Sequence, residues 1–364
     1  MRSNSKSTHR SRWRPGLILS ALALAGIVRI AAAAAPPVQF FYAPFPEDQL
    51  LAGLQAIESG GPDVDPVAPM QTYISLAAIA DGTIIYYDHW EDGYEADIDA
   101  PTQSTTKIWG DGNSANGFPP GVPSDLINAG TVVVMNNPVP LPRSPTEILF
   151  DGRDKIAASK TISMTKTGWA SGSNTLLAGS VEMFDTDNWG IDYIVPVGED
   201  IPASTGYEMF EYTGLVILAR DDATTINIDA DANGVFETSL VLAEGQSHQV
   251  NGGVSVGARV TSDKPVQVDL LTGDIASSYE SRDTALLPTN LWTGSYYTPV
   301  STTSDGGGIG IPSTAVWLYN PAASAITVAY QYRSGGIVQS SSTSVPAGSY
   351  TKVILNNGTG YEWH

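Results

Sequence analysis

Apolar and polar positions alternate with a period of two along most of the chain after residue 70. The runs are TVVVM (131–135), TISMT (161–165), LVILA (215–219), TTINID (224–229), SLVLA (239–243), PVQVDLL (265–271), AVWLY (315–319), ITVAYQY (326–332) and TKVIL (351–355). They are rich in β-branched and aromatic residues and are separated by Gly, Asn, Asp and Pro, which predicts short strands with one buried face. Past the N-terminal apolar run, helical spacing is confined to Asp48–Glu58, which predicts a single helix. The pattern is that of an all-β protein.

The pattern also recurs. Trp189, Tyr193, Pro196 and Val197 in WGIDYIVPV share a frame with Trp292, Tyr296, Pro299 and Val300 in WTGSYYTPV. KTISMTKTG from Lys160 answers KPVQVDLLTG from Lys264. LVILARDDATTINID from Leu215 lies over AVWLYNPAASAITVA from Ala315 at an offset of 100, with Leu218 over Leu318 and Ile226 over Ile326. ISLAAIADGTIIYYD from Ile74 is a weaker third copy, and the turns Ala129-Gly130, Glu244-Gly245 and Ala347-Gly348 recur with it. Tandem units of about 100 residues are expected. Units of this size suit an antiparallel β-sandwich, with a propeller of two blades per unit as the alternative. The expected divisions are a Pro/Gly-rich entry segment at 36–70, a first unit at 71–212, a second at 213–312 and an incomplete third at 313–364. From that last half-unit a fragment or an incomplete reading frame is expected. The first unit is the longest, and its excess lies between Trp90 and Asn128, where strand pattern is scarce and function is expected.

Residues 1–35 read as a leader and not as fold. Arg2, Lys6, Arg10, Arg12 and Arg14 precede an apolar run from Leu17 to Val28, and Ala31 to Ala35 supply small residues for cleavage. The run is short for a membrane span, so a secreted or cell-surface chain without a transmembrane span in its mature form is expected. The leader holds six of the 18 basic residues and none of the 38 acidic ones, leaving 12 against 38 and a net charge of −26. Such acidity argues against nucleic acid as a partner and suits cation binding. The absence of cysteine excludes disulfides, thiol catalysis and thiolate metal sites.

Two motifs carry candidate chemistry. DADANGVFE places oxygen ligands at Asp229, Asp231 and Asn233, glycine at Gly234, a backbone carbonyl at Val235 and a carboxylate at Glu237, the spacing of the first part of a calcium loop. Leu240 occupies the place of the bidentate glutamate, so a full helix–loop–helix site is excluded. A structural Ca2+ at a hairpin tip is one reading, and a plain Asp/Asn/Gly turn the other. The second motif is YYDHWEDGYEADIDA. Asp88, Glu91 and Asp92 offer a second cation site, or carboxylates for glycoside hydrolysis, against the alternative of a solvated acidic hairpin. Trp90, Tyr94 and Trp109 offer a stacking face for a sugar or peptide, although core packing is the commoner fate of such residues. No G-x-S-x-G, H-E-x-x-H or P-loop spacing is present.

Taken in order, VTSDKPVQVDLLTGD (260–274), LLPTNLWTGSYYTPV (286–300), TTINIDADANG, LAEGQSHQV and WGIDYIVPV resemble the N-terminal domain of the IgGFc-binding protein family. DHWEDGYE with WGDGN looks like a bacterial branch of such proteins. The resemblance implies an extracellular recognition or adhesion module and not an enzyme, with a protein or glycan as ligand. Immunoglobulin binding does not carry over, since no residue set here is tied to it. The functional expectation is a calcium-stabilised, non-catalytic binding protein. A carbohydrate-acting hydrolase and a structural envelope protein are the alternatives.

Overall fold

The computed structural model describes residues 35–61, 65–171, 178–202, 209–277, 281–301 and 314–364, so the expected leader lies outside it except for Ala35. Among the described residues the fold is all-β, with one α-helix. No helix there is long and apolar enough to cross a membrane.

The first stretch comprises β1 (Gln39–Tyr42), α1 (Glu47–Glu58), β2 (Val67–Ala78), β3 (Ile85–Asp88), β4 (Lys107–Trp109), β5 (Val132–Val139), β6 (Lys155–Ala158), β7 (Ile162–Ser171) and β8 (Ala178–Met183). Two four-stranded sheets result, ordered β1-β6-β3-β4 and β5-β2-β7-β8. Phe41, Tyr87 and Ile156 from one and Ile74, Leu76, Met135 and Met164 from the other form a single core, as in a sandwich. The alternation in the sequence produces this directly: from Met70 to Ala78 every second residue of β2 is buried.

The second stretch comprises β9 (Gly190–Ile194), β10 (Tyr212–Ala219), β11 (Thr224–Asp229), β12 (Thr238–Leu242), β13 (Ser247–Val250), β14 (Arg259–Gly273) and β15 (Ser281–Ala285). Here β14 joins both layers. Its first part pairs with β9 and β11, its second with β10 and β15, and its register against β9 shifts between Thr261 and Val266. Such a break bends a strand, and the seven-stranded sheet curls into a nearly closed, barrel-like form around Tyr193, Leu215, Ile217, Ile228, Val260 and Val268.

The third stretch comprises β16 (Tyr296–Thr298), β17 (Ala315–Asn320), β18 (Ile326–Ser334), β19 (Ile337–Val345), β20 (Ser349–Ile354) and β21 (Tyr361–Trp363). Its sheets are β16-β21-β18-β19 and β17-β20, over an aromatic cluster of Tyr330, Tyr332, Tyr361 and Trp363.

Strand pairing crosses three of the expected divisions. β1 falls within 36–70 yet is an edge strand of the first sandwich, and β9 precedes residue 213 yet pairs with β14. The Trp189 frame therefore opens the second sandwich, and the Trp292 frame likewise leads into β16, which pairs with β21.

Across β10 and β17 the strand pairing fits an offset of 101 and not the expected 100. Gly130, Gly245 and Gly348 all have positive φ, and two residues beyond each, Val132, Ser247 and Tyr350 stand opposite Ala77, Leu218 and Tyr319. Ile217 therefore matches Leu318. A slip of one residue turns every side chain to the other face: Val316 and Leu318 meet the third core, while Trp317 packs edge-on against Phe210 of the second stretch.

Helix α1 joins the first sandwich to the barrel-like second stretch. Leu50, Leu54 and Ile57, on one helical stripe, pack with Met70, Val139 and Ala170 on one side and with Tyr212, Val216 and Leu271 on the other. Glu47 and Asp48 in its first turn suit the positive end of the helix. Glu47 is buried and meets the buried Lys166 at 2.8 Å, the Thr72 hydroxyl at 2.8 Å and the Gly152 N–H at 3.0 Å.

Candidate functional site

β11 and β12 pair up to Ile228 opposite Thr238, leaving Asp229 to Glu237 as the connecting tip. Ala232 (φ 58°) and Gly234 (φ 87°) take the left-handed conformation that turns the chain. Asp229 is 5 % exposed and accepts N–H groups from Asn233 at 3.1 Å and Gly234 at 2.9 Å. Asp231 accepts the Asn233 N–H at 3.2 Å, and Glu237 accepts that of Ala230 at 3.1 Å. One carboxylate oxygen each from Asp229, Asp231 and Glu237 lie within 4.8 Å of one another. A hydrogen bond with Glu237, helped by the Asn233 N–H, holds the Asp231 carboxyl below its ordinary range.

Of the five expected ligands, the three carboxylates are the ones brought together here. The Asn233 amide is committed within the turn, its Oδ1 accepting the Val235 N–H at 2.8 Å and its Nδ2 donating to Asp231 at 2.9 Å. The three clustered carboxylate oxygens are hard donors of the kind that fit Ca2+.

The second expected cation site is not assembled. Trp90 and Gly93 close a turn, so the extended geometry that would align Asp88 with Asp92 is lost. Asp88 is buried and accepts the Glu95 N–H at 2.8 Å and the Thr106 hydroxyl at 3.1 Å, and burial raises its pKa. Asp92 accepts the Thr105 hydroxyl at 2.6 Å. Glu91 turns away to Arg143 at 2.5 Å.

Glu91 instead joins a buried polar network that the sequence did not reveal. Arg143 bridges Glu91 and Asp151, each at 2.5 Å, and the Trp90 indole N–H donates to Asp151 at 2.8 Å. Asp154 accepts the Tyr87 hydroxyl at 2.6 Å and the N–H groups of Asp151 at 3.0 Å and Trp90 at 3.3 Å. His89 lies 2.8 Å from the Leu149 carbonyl and 3.5 Å from Asp154. Burial and the neighbouring Asp154 push Asp151 up to about 9. Burial lowers and Asp154 raises His89, with a net upward shift.

His89, Glu91 and Asp154 lie close enough to hold an ion, and Glu91 Oε2 has no hydrogen-bond partner among the described residues. The donor chemistry nevertheless fits a cation poorly. Three hydrogens already occupy Asp154, and the Arg143 guanidinium supplies positive charge between the other two carboxylates. The network acts as a lock between loops, and it extends to the second sandwich. Arg153 (φ 83°) donates to the Gly245 carbonyl at 3.0 Å, and Lys155 meets Glu244 at 2.7 Å.

The proposed aromatic face is consumed in the same way. Arg153 stacks 4.3 Å from the Trp90 ring centroid. Tyr94 packs with Tyr42 and Trp189, and Trp109 is 3 % exposed in the first core. An aromatic pair does face outward elsewhere. Tyr73 on β2 and Trp169 on β7 stack at 5.0 Å and 17°, on the side of their sheet away from the core. Trp169 is 36 % exposed, and Val132 and Val134 on β5 are exposed at 57 % and 37 %. The legible signal was an aromatic at a water-facing rung of an alternating strand.

No family model matches the chain, and neither a curated protein nor a solved structure matches it.

Proposed function

We propose that the chain is a secreted or cell-surface recognition module that binds an extracellular protein or glycan through the outer face of the β5-β2-β7-β8 sheet, with calcium stiffening the Asp229–Glu237 hairpin. The observation that carries this reading is the stacked Tyr73–Trp169 pair on the outer side of that sheet, with Trp169 36 % exposed. A flat aromatic face with polar neighbours such as Gln71, Asn136 and Thr167 suits a sugar ring, which offers an apolar face and a hydroxyl rim, or a partner side chain. The leader, the acidity of the chain and the resemblance to the IgGFc-binding protein N-terminal domain support the extracellular setting. The carboxylate trio at an exposed tip supports the ion.

The test is an array of glycans and extracellular proteins, probed with the chain in calcium and again in chelator. One ligand class is expected to be captured, and Trp169→Ala is expected to reduce that capture at least about tenfold while leaving the melting temperature close to wild type. Equal capture by Trp169→Ala would remove this face from the proposal.

A further inference from the structure

The outer side of the β5-β2-β7-β8 sheet is built in rows. Strand pairing aligns Pro138, Gln71, Trp169 and Ala178 in one row and Asn136, Tyr73, Thr167 and Ser180 in the next. These positions alternate with buried ones along every strand, so both rows face away from the core. Beyond them stand Val134, Ser75, Thr165 and Glu182, and then Val132, Ala77 and Ser163. Neighbouring strands lie about 4.8 Å apart, so each of the first two rows extends about 14 Å across the four strands, further than one sugar ring.

The chemistry of these rows is unlike that of the chain as a whole. Glu182, on the edge strand β8, is the only Asp, Glu, Lys, Arg or His in them, in a protein with 38 acidic and 18 basic residues. An anionic ligand would find no cation there and would meet the field of a chain with a formal net charge of −20. A cationic one would find a single carboxylate at the edge of the sheet. Hydrogen-bonding groups are plentiful instead. The side chains of Gln71, Ser75, Asn136 and Thr165 make no hydrogen bond among the described residues, and the hydroxyls of Thr167 and Ser180 share one at 2.9 Å. Amides and hydroxyls both donate and accept, as sugar hydroxyls do. The stacked Tyr73–Trp169 pair adds the apolar platform on which a ring can pack.

We infer that this face binds an uncharged oligosaccharide laid across the strands, with one ring packed on the Tyr73–Trp169 pair and neighbouring hydroxyls bonded to Gln71, Asn136 and the Thr167–Ser180 pair. This assignment rests on the outer-face binding proposed above, and it narrows the ligand from a protein or glycan to a neutral sugar chain. A partner protein needs an apolar centre in its contact. The two rows around the aromatic pair offer no large aliphatic side chain, and the exposed Val132 and Val134 stand in the rows beyond.

The experiment titrates the full chain calorimetrically with hexasaccharides of cellulose, xylan, mannan and chitin and, as charged counterparts, of hyaluronan and heparin. At least one neutral hexasaccharide is expected to bind saturably, and its monosaccharide at least about tenfold more weakly. Hyaluronan and heparin are expected not to bind. Trp169→Ala is expected to weaken the neutral ligand at least about tenfold, and Asn136→Ala about fivefold, the loss of one hydrogen bond. Both side chains stand on the exposed side, so the melting temperature is expected to stay close to wild type. Glu182→Gln is expected to leave the affinity unchanged. Failure of every neutral hexasaccharide to bind, or binding that Trp169→Ala and Asn136→Ala leave intact, would overturn the assignment. Capture of a protein or a charged glycan that depends on Trp169 would dismiss the neutral sugar while the face stands. Capture indifferent to Trp169 for every ligand would dismiss both.

Discussion

Asp231 is the residue on which the calcium hairpin is most simply tested. Its carboxylate is exposed, so truncation removes a ligand without opening a core. Asp231→Ala is expected to lower the melting temperature in calcium and to abolish the gap between calcium and chelator. A wild-type melt indifferent to chelator would dismiss the ion. Asp269 supports a different prediction. It is buried, takes both its hydrogen bonds from Gln267, and burial raises its pKa well above the ordinary carboxylate value. The folded chain keeps this proton at pH values where the unfolded chain has released it. Its contribution to stability is therefore complete below about pH 4 and declines as pH rises toward the folded pKa. Asp269→Asn is expected to flatten that part of the decline, read from urea midpoints across pH. At this scale the sequence showed which residue types could act but not which would meet. Arg143, Asp151 and Asp154 lie 52 to 65 residues from His89 and Glu91, and no local pattern joins them.

Among the elements, α1 has the largest leverage, because its single apolar stripe serves two sandwiches. Leu54 is fully buried between Met70 and Val139 of the first sheet and Tyr212 and Leu271 of the second. Leu54→Ala is expected to cost about 2–5 kcal/mol, as a shift of one denaturation transition. Loss of the first sandwich alone, with the second melting as in wild type, would refute a shared core. The helix was legible from its spacing, and most strands from alternation. The pairing of β1 with β6 was not, since four residues in a Pro-rich segment carry too little period to assign a partner. At β10 and β17 the offset of 100 missed by one residue for a related reason: matching letters do not detect a slip that the ladder and its turn glycines reveal.

Over the whole molecule, burial falls off toward the third set of strands. β10 is buried along its length, whereas β18 and β19 are mostly exposed. Amides of β18 and β19 are expected to exchange faster than those of β10 and β14, measured by native-state hydrogen exchange, and equal protection would show the third core to be as closed as the second. The sequence by itself determined the all-β class, the single helix, the position of most strands and the carboxylate hairpin. These follow from periodicity and turn chemistry, which act within a few residues. Only the tertiary structure decided that β14 serves two layers and that the 88–109 aromatics and carboxylates are locked away while Tyr73 and Trp169 face outward. Those outcomes depend on which distant strands become neighbours, and side-chain burial is set by that choice and not by the local run of residues.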